Sequence, residues 1–186
     1  MRELAFILKT LGDLVTGLFL LRALLQVVRT DFRNPLAQAI VKLSNPIVRP
    51  LRRALPAVGR LDTASLLAAF VAEALKQALL SWLIIDSAPA PARLLAISTV
   101  GLMNAVLSLY LVATFGYVLL SWVSGGGYNP AERLIADLLN PVLNRLQRLI
   151  PVIGGIDLSP MAMILGLYVL QMVLADRIGP WLLALT

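Results

Sequence analysis

Four long apolar stretches alternate with polar segments along the chain. They cover residues 4–28, 64–85, 94–123 and 160–183. Because a helix that spans a membrane needs about 20 mostly apolar residues, each stretch predicts one span. The third carries no charge and, at about 1.5 Å per residue, is longer than the hydrocarbon layer is thick, so it must tilt or project beyond it. The fourth meets Asp176, Arg177 and Gly179-Pro180 near its end, which predicts a short or kinked span.

The first apolar stretch carries Lys9, Asp13 and Arg22, and no small-residue cleavage site follows it. A cleaved signal peptide has an apolar core that ends at such a site. This stretch is therefore expected to remain as a membrane anchor.

The polar segments after the first and third stretches resemble each other at a fixed offset of 95 residues. The identical pairs are Asn34 and Asn129, Pro35 and Pro130, Asn45-Pro46 and Asn140-Pro141, Leu51 and Leu146, Arg53 and Arg148, Pro56 and Pro151, Gly59 and Gly154, and Asp62 and Asp157. The pattern predicts two copies of one unit, residues 1–86 with the loop 29–63 and residues 87–186 with the loop 124–159. The short connector 86–93 joins units that enter and leave on the same side, so the repeats are parallel.

Positive charge is concentrated in the two loops. They hold Arg29, Arg33, Lys42, Arg49, Arg52, Arg53, Arg60, Arg133, Arg145 and Arg148. The opposite side has Arg2 and Arg93, with Arg177 near a helix end. Cytoplasmic loops carry the excess of Lys and Arg in membrane proteins. The loops are therefore expected in the cytoplasm, and both termini outside, in a bacterial inner membrane.

Asn-Pro occurs twice in each loop. This pair is typical of a helix start, because Asn caps a helix and Pro is tolerated at the first helical position. It predicts two short helices in each loop. Their predicted caps are Asn34, Asn45, Asn129 and Asn140. Asp62 and Asp157 each precede an apolar stretch, and we interpret them as caps of those spans, with ion binding as the alternative.

Both loops also carry an apolar stripe with a helical period. It runs through Leu36, Ile40, Leu43, Ile47, Leu51 and Leu55, and through Ile135, Leu138, Val142, Leu146 and Ile150. The candidate residues on the cationic face are Arg49, Arg52, Arg53, Arg145 and Arg148. Amphipathic helices of this kind lie in the headgroup plane of an anionic leaflet, where they contact lipid or a cytoplasmic partner. The alternative is that they are connectors that pack on their own bundle.

Charged residues also occur inside the first two spans, in pairs that share a helix face. These are Lys9 with Asp13 and Glu73 with Lys76, and both pairs lie near mid-depth, so one cluster is expected. The equivalent positions of the second repeat hold Asn104, Ser108, Tyr168 and Gln171. We expect all of them to face the bundle interior. They serve either as polar contacts that fix packing or as a cation or proton path with Asp13 and Glu73 as the binding carboxylates.

Composition restricts the chemistry further. The chain of 186 residues is 59% hydrophobic, carries a formal net charge of +6, and contains neither cysteine nor histidine. Haem ligation, most zinc sites and nucleophilic catalysis with Ser-His or Cys-His therefore lack their usual residues. We expect no enzyme activity, no cofactor and no metal. The basic balance fits Arg-rich cytoplasmic loops, and nucleic acid is not expected as a partner.

The pattern N-P, N-P, L-x-R, P-x-x-G-x-x-D followed by an apolar helix occurs twice and resembles the YggT family of bacterial membrane proteins, which includes YlmG-type members. The resemblance covers nearly the whole chain, as two units in tandem. The second copy, NPVLNRLQRLIPVIGGIDLSP, is close to the family pattern, whereas the first has Arg60 at the second Gly position and DTAS in place of DLS. The resemblance implies roles in osmotic-shock resistance, potassium handling, cell division or assembly of a plastid cytochrome complex, and no established enzyme activity.

Two functions follow as expectations. The first is a scaffold, assembly or stress-adaptation factor whose loop helices bind anionic lipid and a membrane-protein partner or a second copy of the chain. The second is a protein of osmotic-stress or potassium homeostasis, or a small transporter, that uses the intramembrane charges. No carbonyl filter motif such as T-V-G-Y-G occurs in the sequence, so transport would require an oligomer.

Overall fold

The computed structural model describes residues 2–123, 129–150 and 157–178. This part of the chain folds into six α-helices: α1 Arg2–Val28, α2 Pro35–Ala54, α3 Thr63–Ile85, α4 Pro91–Val123, α5 Pro130–Leu149 and α6 Ser159–Val173. A π-helical segment, Leu174–Ile178, continues α6. These residues form no β-strand beyond one isolated bridge between Val58 and Leu61. The all-α class expected from the sequence is therefore confirmed.

Four helices are long and apolar enough to cross a membrane: α1, α3, α4 and the segment Ser159–Asp176. Their bounds match the four predicted spans to within about three residues at the ends that the structure describes. The predicted irregularity of the fourth span coincides with the π-helical segment, which begins two residues before Asp176. The predicted end of that span, at residue 183, lies outside the described residues.

The four long helices pack in two pairs. The most extensive contact joins α1 to α3, and α4 packs along α6, while α3 and α1 both contact α4. The buried core between α1, α2 and α3 combines Phe19 and Leu20 with Val48 and with small residues of α3 such as Ala68 and Ala69. Small residues let helix backbones approach closely where no water drives association.

Each loop forms one helix where the sequence predicts two, so the predicted breaks at Asn45 and Asn140 are wrong. Asn45 lies inside α2 together with Pro46 and Pro50, and Asn140 lies inside α5 together with Pro141. In α5 the apolar face on both sides of Pro141 is buried continuously, and such packing supplies most of the stability of a helix in a protein. In α2 the turn before Pro46 is held by hydrogen bonds from Arg22 of α1.

The starts of the helices follow the sequence closely. Asn34 accepts a hydrogen bond from the Leu36 N–H at 2.9 Å and begins α2, and Asn129 accepts from the Ala131 N–H at 3.0 Å and begins α5. Asp62 accepts from the Ser65 N–H at 3.3 Å at the start of α3. These three residues therefore cap the helices that follow them.

Candidate functional site

A cluster of ion pairs joins α1 to α3. The Lys76 ammonium lies 2.6 Å from Asp13 Oδ1 and 2.6 Å from Glu73 Oε2, and Lys9 Nζ lies 2.8 Å from the other Asp13 oxygen. Glu73 is fully buried and Lys76 is 7% exposed, whereas Lys9 is largely exposed. The structure thus brings together all four charged residues that the sequence selected in the first two spans.

Two neutral side chains complete this cluster. Thr16 donates to Glu73 Oε2 at 3.4 Å, and Gln77 donates to Glu73 Oε1 at 2.9 Å. Every carboxylate oxygen of Asp13 and Glu73 therefore has a donor within the protein. The two ammonium groups also balance the two carboxylates in formal charge. The arrangement is typical of a paired charge network that joins two helices, because a buried charge in a membrane requires a partner.

Two glycines make room for this network. A Cβ on Gly12 would lie 2.6 Å from Lys76 Cγ, and a Cβ on Gly101 of α4 would overlap the Glu73 carboxylate. Only glycine leaves space for Lys76 to cross α1 toward Asp13 and for Glu73 to pack against the α4 backbone. The sequence analysis did not select either glycine, although a glycine within an apolar span was the available signal.

The second half of the chain repeats one of these contacts without charge. Gln171 Nε2 of α6 donates to Ser108 Oγ of α4 at 2.8 Å, across the same sequence separation of 63 residues as the contact from Lys76 to Asp13. Asn104 is exposed and lines a groove of about 650 Å³ between α1, α3 and α4, together with Asp13 and Ser108.

Tyr168 does not face the bundle interior, so that part of the prediction is wrong. Its side chain is 63% exposed. The reason is the position of its helix: α3 contacts both α1 and α4, whereas α6 packs on α4 and α5 at the edge of the bundle. Tyr168 is the position equivalent to Glu73, and among the described helices it therefore has no third long helix opposite it.

A second charged centre lies at the loop end of α1, around the cap of α3. Arg52 Nη2 lies 2.5 Å from Asp62 Oδ2 and also donates to Gln26 Oε1 at 2.9 Å. Arg22 Nε lies 3.6 Å from the same Asp62 oxygen. Asp62 is fully buried and Arg22 is 4% exposed, so three elements meet on one buried carboxylate.

Arg22 also holds the turn of α2 that precedes Pro46. Its Nη1 donates to Ser44 Oγ at 2.7 Å, to Asn45 Oδ1 at 3.0 Å and to the Val41 carbonyl at 3.3 Å. These bonds fix the α2 backbone where proline weakens the helix. Sequence reasoning did not select Arg22 as a site residue, although an arginine within an apolar span was the available signal.

Asp62 and Asp157 lie at the starts of α3 and α6, and different groups lower the pKa of each carboxyl. Burial alone raises the pKa of Asp62, but hydrogen bonds from Arg52 and Ser65 outweigh it and place the pKa below its usual value. The pKa of Asp157 is also lowered, first by the backbone N–H of Ser159 at 2.9 Å and further by Gln147, which donates at 2.8 Å. Asp62 is the N-cap of α3, whereas the N-cap of α6 is Leu158, so the prediction of Asp157 as a cap is wrong by one residue. Each carboxylate has a side-chain partner ten residues upstream.

The arginines predicted to face lipid or a partner fall into two classes. Arg49 and Arg53 of α2 and Arg145 and Arg148 of α5 are exposed. Arg52 is exposed too, with 40% of its side chain accessible, but its guanidinium also pairs with Asp62. Charge-assisted hydrogen bonds to this buried carboxylate, ten residues further along the chain, hold one face of the guanidinium toward the protein.

No group of three or more His, Cys, Asp or Glu side chains that could hold a metal ion occurs in residues 2–123, 129–150 and 157–178.

Comparison with known proteins places the chain among bacterial relatives. It is 38% identical to the Escherichia coli K12 protein YggT over 179 residues, which cover 95% of this chain and 91% of that protein. It is 36% identical to a Vibrio alginolyticus protein over 97% of both chains, and 30% identical to a Haemophilus influenzae protein over 98% of this chain and 97% of the other. No solved structure is significantly similar to it. The CCB3/YggT family model matches residues 1–83 and again residues 96–178, so the chain belongs to the CCB3/YggT family.

Proposed function

We propose that this chain is a multi-pass inner-membrane protein without catalytic activity, which acts as a scaffold, assembly or stress-adaptation factor by presenting α2 at the cytoplasmic membrane surface. The concentration of arginine on the side of α2 and α5 supports this orientation. In this proposal, α2 contacts anionic lipid and offers its apolar face to the membrane boundary, where a membrane-protein partner or a second copy of the chain is also within reach.

One observation carries the proposal: α2 leaves part of its apolar stripe uncovered. Leu43 is 69% exposed and Ile47 is 51% exposed, while the helix packs on the bundle through Ala37, Ser44 and Val48. Large apolar side chains at the end of a transmembrane bundle gain free energy from contact with lipid or protein, at about 25 cal/mol per Å² removed from water. A face of this kind favours an interfacial helix over a connector.

The equivalent helix of the second half behaves differently. α5 buries Leu134, Leu138, Leu139 and Leu143 against the bundle and exposes mainly polar residues along its length. It fits the alternative in which an amphipathic connector packs on its own protein. This difference in exposure supports a membrane-surface role for α2 and not for α5, although both helices share the same sequence pattern.

Charge beside the exposed apolar face supports an anionic surface. Arg49 and Arg53 are exposed and form no ion pair with any residue that the structure describes. Each basic residue near an anionic leaflet adds roughly 1 kcal/mol of attraction. The attraction of these two arginines to the leaflet would therefore add to the free energy gained from the apolar contact of Leu43 and Ile47.

An apolar groove continues from α2 along the bundle. It has a volume of about 780 Å³ and lies between α1 and α3, with Pro46, Ile47 and Pro50 at its α2 end. On α1 it extends from Phe19 to Leu8, which is about 16 Å at 1.5 Å per residue, close to half of a 30 Å hydrocarbon layer. An acyl chain of the cytoplasmic leaflet fits this length, and α2 then lies at the headgroup level.

The two halves are proposed to be parallel repeats of one two-span unit, with an exposed connector between them. Equivalent contacts support this. Lys76 with Asp13 corresponds to Gln171 with Ser108, and Arg52 with Asp62 corresponds to Gln147 with Asp157, in each case at the offset of 95 residues.

The chain contains no cysteine, so single labels test the location of α2 directly. In reconstituted full-length protein, a fluorophore on Leu43→Cys should be quenched by a lipid-borne quencher and protected from an aqueous one. A label on Asn144→Cys, which is exposed on α5, is the matched control and should show the reverse. Equal aqueous quenching at both positions would contradict the proposal.

A photoreactive group at position 43 then shows whether lipid or protein contacts the apolar face of α2. In native membranes, a lipid adduct assigns the face to the bilayer, and a discrete protein adduct assigns it to a partner or a second copy. The same group at position 144 should give neither adduct above background.

Ion handling is the second candidate function, and the groove beside the charge cluster favours it. This groove places Asp13, Glu73 and Asn104 along one opening between three spanning helices. Potassium or proton flux into proteoliposomes, measured for Asp13→Asn and Glu73→Gln, tests this candidate. Loss of flux in both variants supports it, and unchanged flux in both rejects it.

A further inference from the structure

A polar pocket of about 570 Å³ lies on the opposite side of α2 from the apolar groove. It is formed where the loop end of α1 meets α2, and its polar lining consists of Arg22, Gln26, Gln38, Lys42, Asn45 and Arg52. On α2, Gln38, Lys42 and Asn45 follow at helical spacing, so they share one face. The pocket is distinct from the charge cluster around Lys76.

Almost every polar group in this pocket is a donor. Arginine and lysine can only donate hydrogen bonds. Asn45 Oδ1 accepts from Arg22 and Gln26 Oε1 accepts from Arg52, which leaves the amide nitrogens of both side chains as the groups free to donate. Among the residues that the structure describes, no carboxylate lines the pocket.

The donors at its base are not all used by the protein. All three hydrogen bonds of Arg22 are donated by Nη1, and its buried Nε faces Asp62 Oδ2 at 3.6 Å. Its Nη2 donates no hydrogen bond to a described residue. Lys42 makes no ion pair with any residue in the described ranges. Asp62 is the carboxylate that pairs with Arg22 and Arg52, so these two arginines and Lys42 leave a formal excess of two positive charges.

We propose that this pocket binds one phosphate-bearing anion, either the headgroup of an anionic phospholipid or free phosphate. Guanidinium and ammonium groups that converge with amide donors match an oxyanion in both charge and hydrogen bonding. Arg22 lies six residues before the end of α1, which is about 9 Å along the helix and close to the depth at which headgroups begin. The inference rests on the proposed function only in placing this end of α1 at the membrane surface.

The experiment uses the full-length protein in neutral detergent. Inorganic phosphate is titrated against chloride at constant ionic strength, and in a second arm phosphatidylglycerol or phosphatidylcholine is added to the micelles. A ligand that binds only the folded state raises the unfolding midpoint, and the rise grows with the logarithm of ligand concentration above Kd, so the titration yields an affinity. We expect the midpoint to rise with phosphate, with phosphatidylglycerol, or with both. The arm that responds identifies the source of the anion.

Lys42→Glu tests the site without removing a structural contact, because the Lys42 side chain is exposed and forms no bond to the described residues. It should weaken binding at least ten-fold and leave the midpoint without ligand close to that of the wild type. Arg53→Glu is the matched control, since it reverses the same charge on the same helix outside the pocket. In the phosphate arm its affinity should stay within about two-fold of the wild type, and in the lipid arm it should lose less than Lys42→Glu does, because Arg53 adds only to the general attraction of an anionic surface.

Two outcomes overturn the proposal. One is the absence of any midpoint shift in the wild type in both arms. The other is an equal loss of affinity in Lys42→Glu and Arg53→Glu, which indicates attraction by net charge alone. The phosphate arm needs no bilayer, so its result is independent of the quenching result at Leu43, and failure of one proposal does not imply failure of the other.

Discussion

At the scale of single residues, the contact between Glu73 and Gly101 shows how tightly the charge cluster fits. Glu73 is fully buried, and its carboxylate occupies the space that a Cβ on Gly101 would need. The same holds for Lys76 and Gly12. Whether the charged residues can pair therefore depends on two glycines that carry no polar group of their own.

Gly101→Ala should destabilise the protein by about 1–3 kcal/mol, because overpacking must displace a buried carboxylate from its donors. Gly166→Ala is the matched control, since Gly166 of α6 has open space where its Cβ would lie. Alanine should stabilise a helix there by up to about 1 kcal/mol. Unfolding in mixed micelles measures both, and equal effects of the two variants would refute the steric argument.

The pairing of Lys76 makes a second prediction at this scale. Lys76→Gln removes the ammonium shared by Asp13 and Glu73 and should cost about 3–5 kcal/mol, because a buried carboxylate is left without its counter-charge. Adding Glu73→Gln should recover more than half of this loss, since the remaining pair of Lys9 and Asp13 is neutral. The free energy of unfolding of the single and double variants measures the recovery. Additive losses would contradict the pairing.

At the scale of elements, Asp62 connects three helices. It caps α3, binds Arg52 of α2 and lies beside Arg22 of α1. Asp157, just before α6, accepts from the Ser159 N–H and from Gln147, so the equivalent junction of the second half contains no ion pair among the described residues. Ion pairs therefore hold the first loop to the bundle, whereas the buried leucines of α5 hold the second loop.

This difference predicts a dependence on pH. The pKa of Asp62 lies below its usual value of about 3.9, so its contribution to stability is complete above about pH 4 and is lost as pH falls through the lowered pKa. Asp62→Asn should cost about 3–5 kcal/mol at neutral pH, because it leaves buried Arg22 without a counter-charge. The difference between wild type and variant should shrink below about pH 4.

Asp157→Asn is the control for this prediction. Asparagine keeps a side-chain oxygen that can accept from the Ser159 N–H, and Asp157 has no arginine partner among the described residues, so the change should stay within about 0.5 kcal/mol. Unfolding measured from pH 7 to pH 3 separates the two variants. A loss at Asp157 as large as that at Asp62 would show that capping, and not the ion pair, is the dominant contribution.

At the scale of the whole molecule, the two halves are held together by contacts as well as by the chain. α1 and α3 contact α4, and α2 contacts α5. Asn34 Nδ2, at the start of α2, donates to the Pro130 carbonyl at the start of α5 at 2.7 Å. The connector between α3 and α4 begins at Asp86, which ends α3 in a left-handed conformation, and it is mostly exposed.

A protease site inserted after Ser87 tests this assembly. The cut ends lie in an exposed turn, where backbone cleavage breaks few contacts, so the two fragments should remain associated in detergent. Copurification of the second half with a tag on the first half measures the association. Separation of the fragments under mild detergent would show that the covalent connector holds the halves together.

Much of the fold followed from local pattern. The spans are set by the length of mostly apolar sequence, and the caps Asn34, Asn129 and Asp62 by short-range chemistry that needs no distant partner. The continuity of α2 through Pro46 could not be predicted in this way, because it depends on hydrogen bonds from Arg22, 22 residues before Ser44. Tyr168 was misplaced because its exposure depends on which helix lies at the edge of the bundle.

The sequence by itself determined that the chain has four apolar helices and an amphipathic helical segment in each loop, since helical period and composition are properties of neighbouring residues. Only the tertiary structure decided which charges meet. The partners of Lys76, Arg22 and Arg52 come from other helices, and the axial register between packed helices selects them. The same packing left part of the apolar stripe of α2 exposed, at Leu43 and Ile47, and covered most of that of α5, although their sequences follow one pattern, because which face of each helix meets the bundle depends on the helices packed beside it.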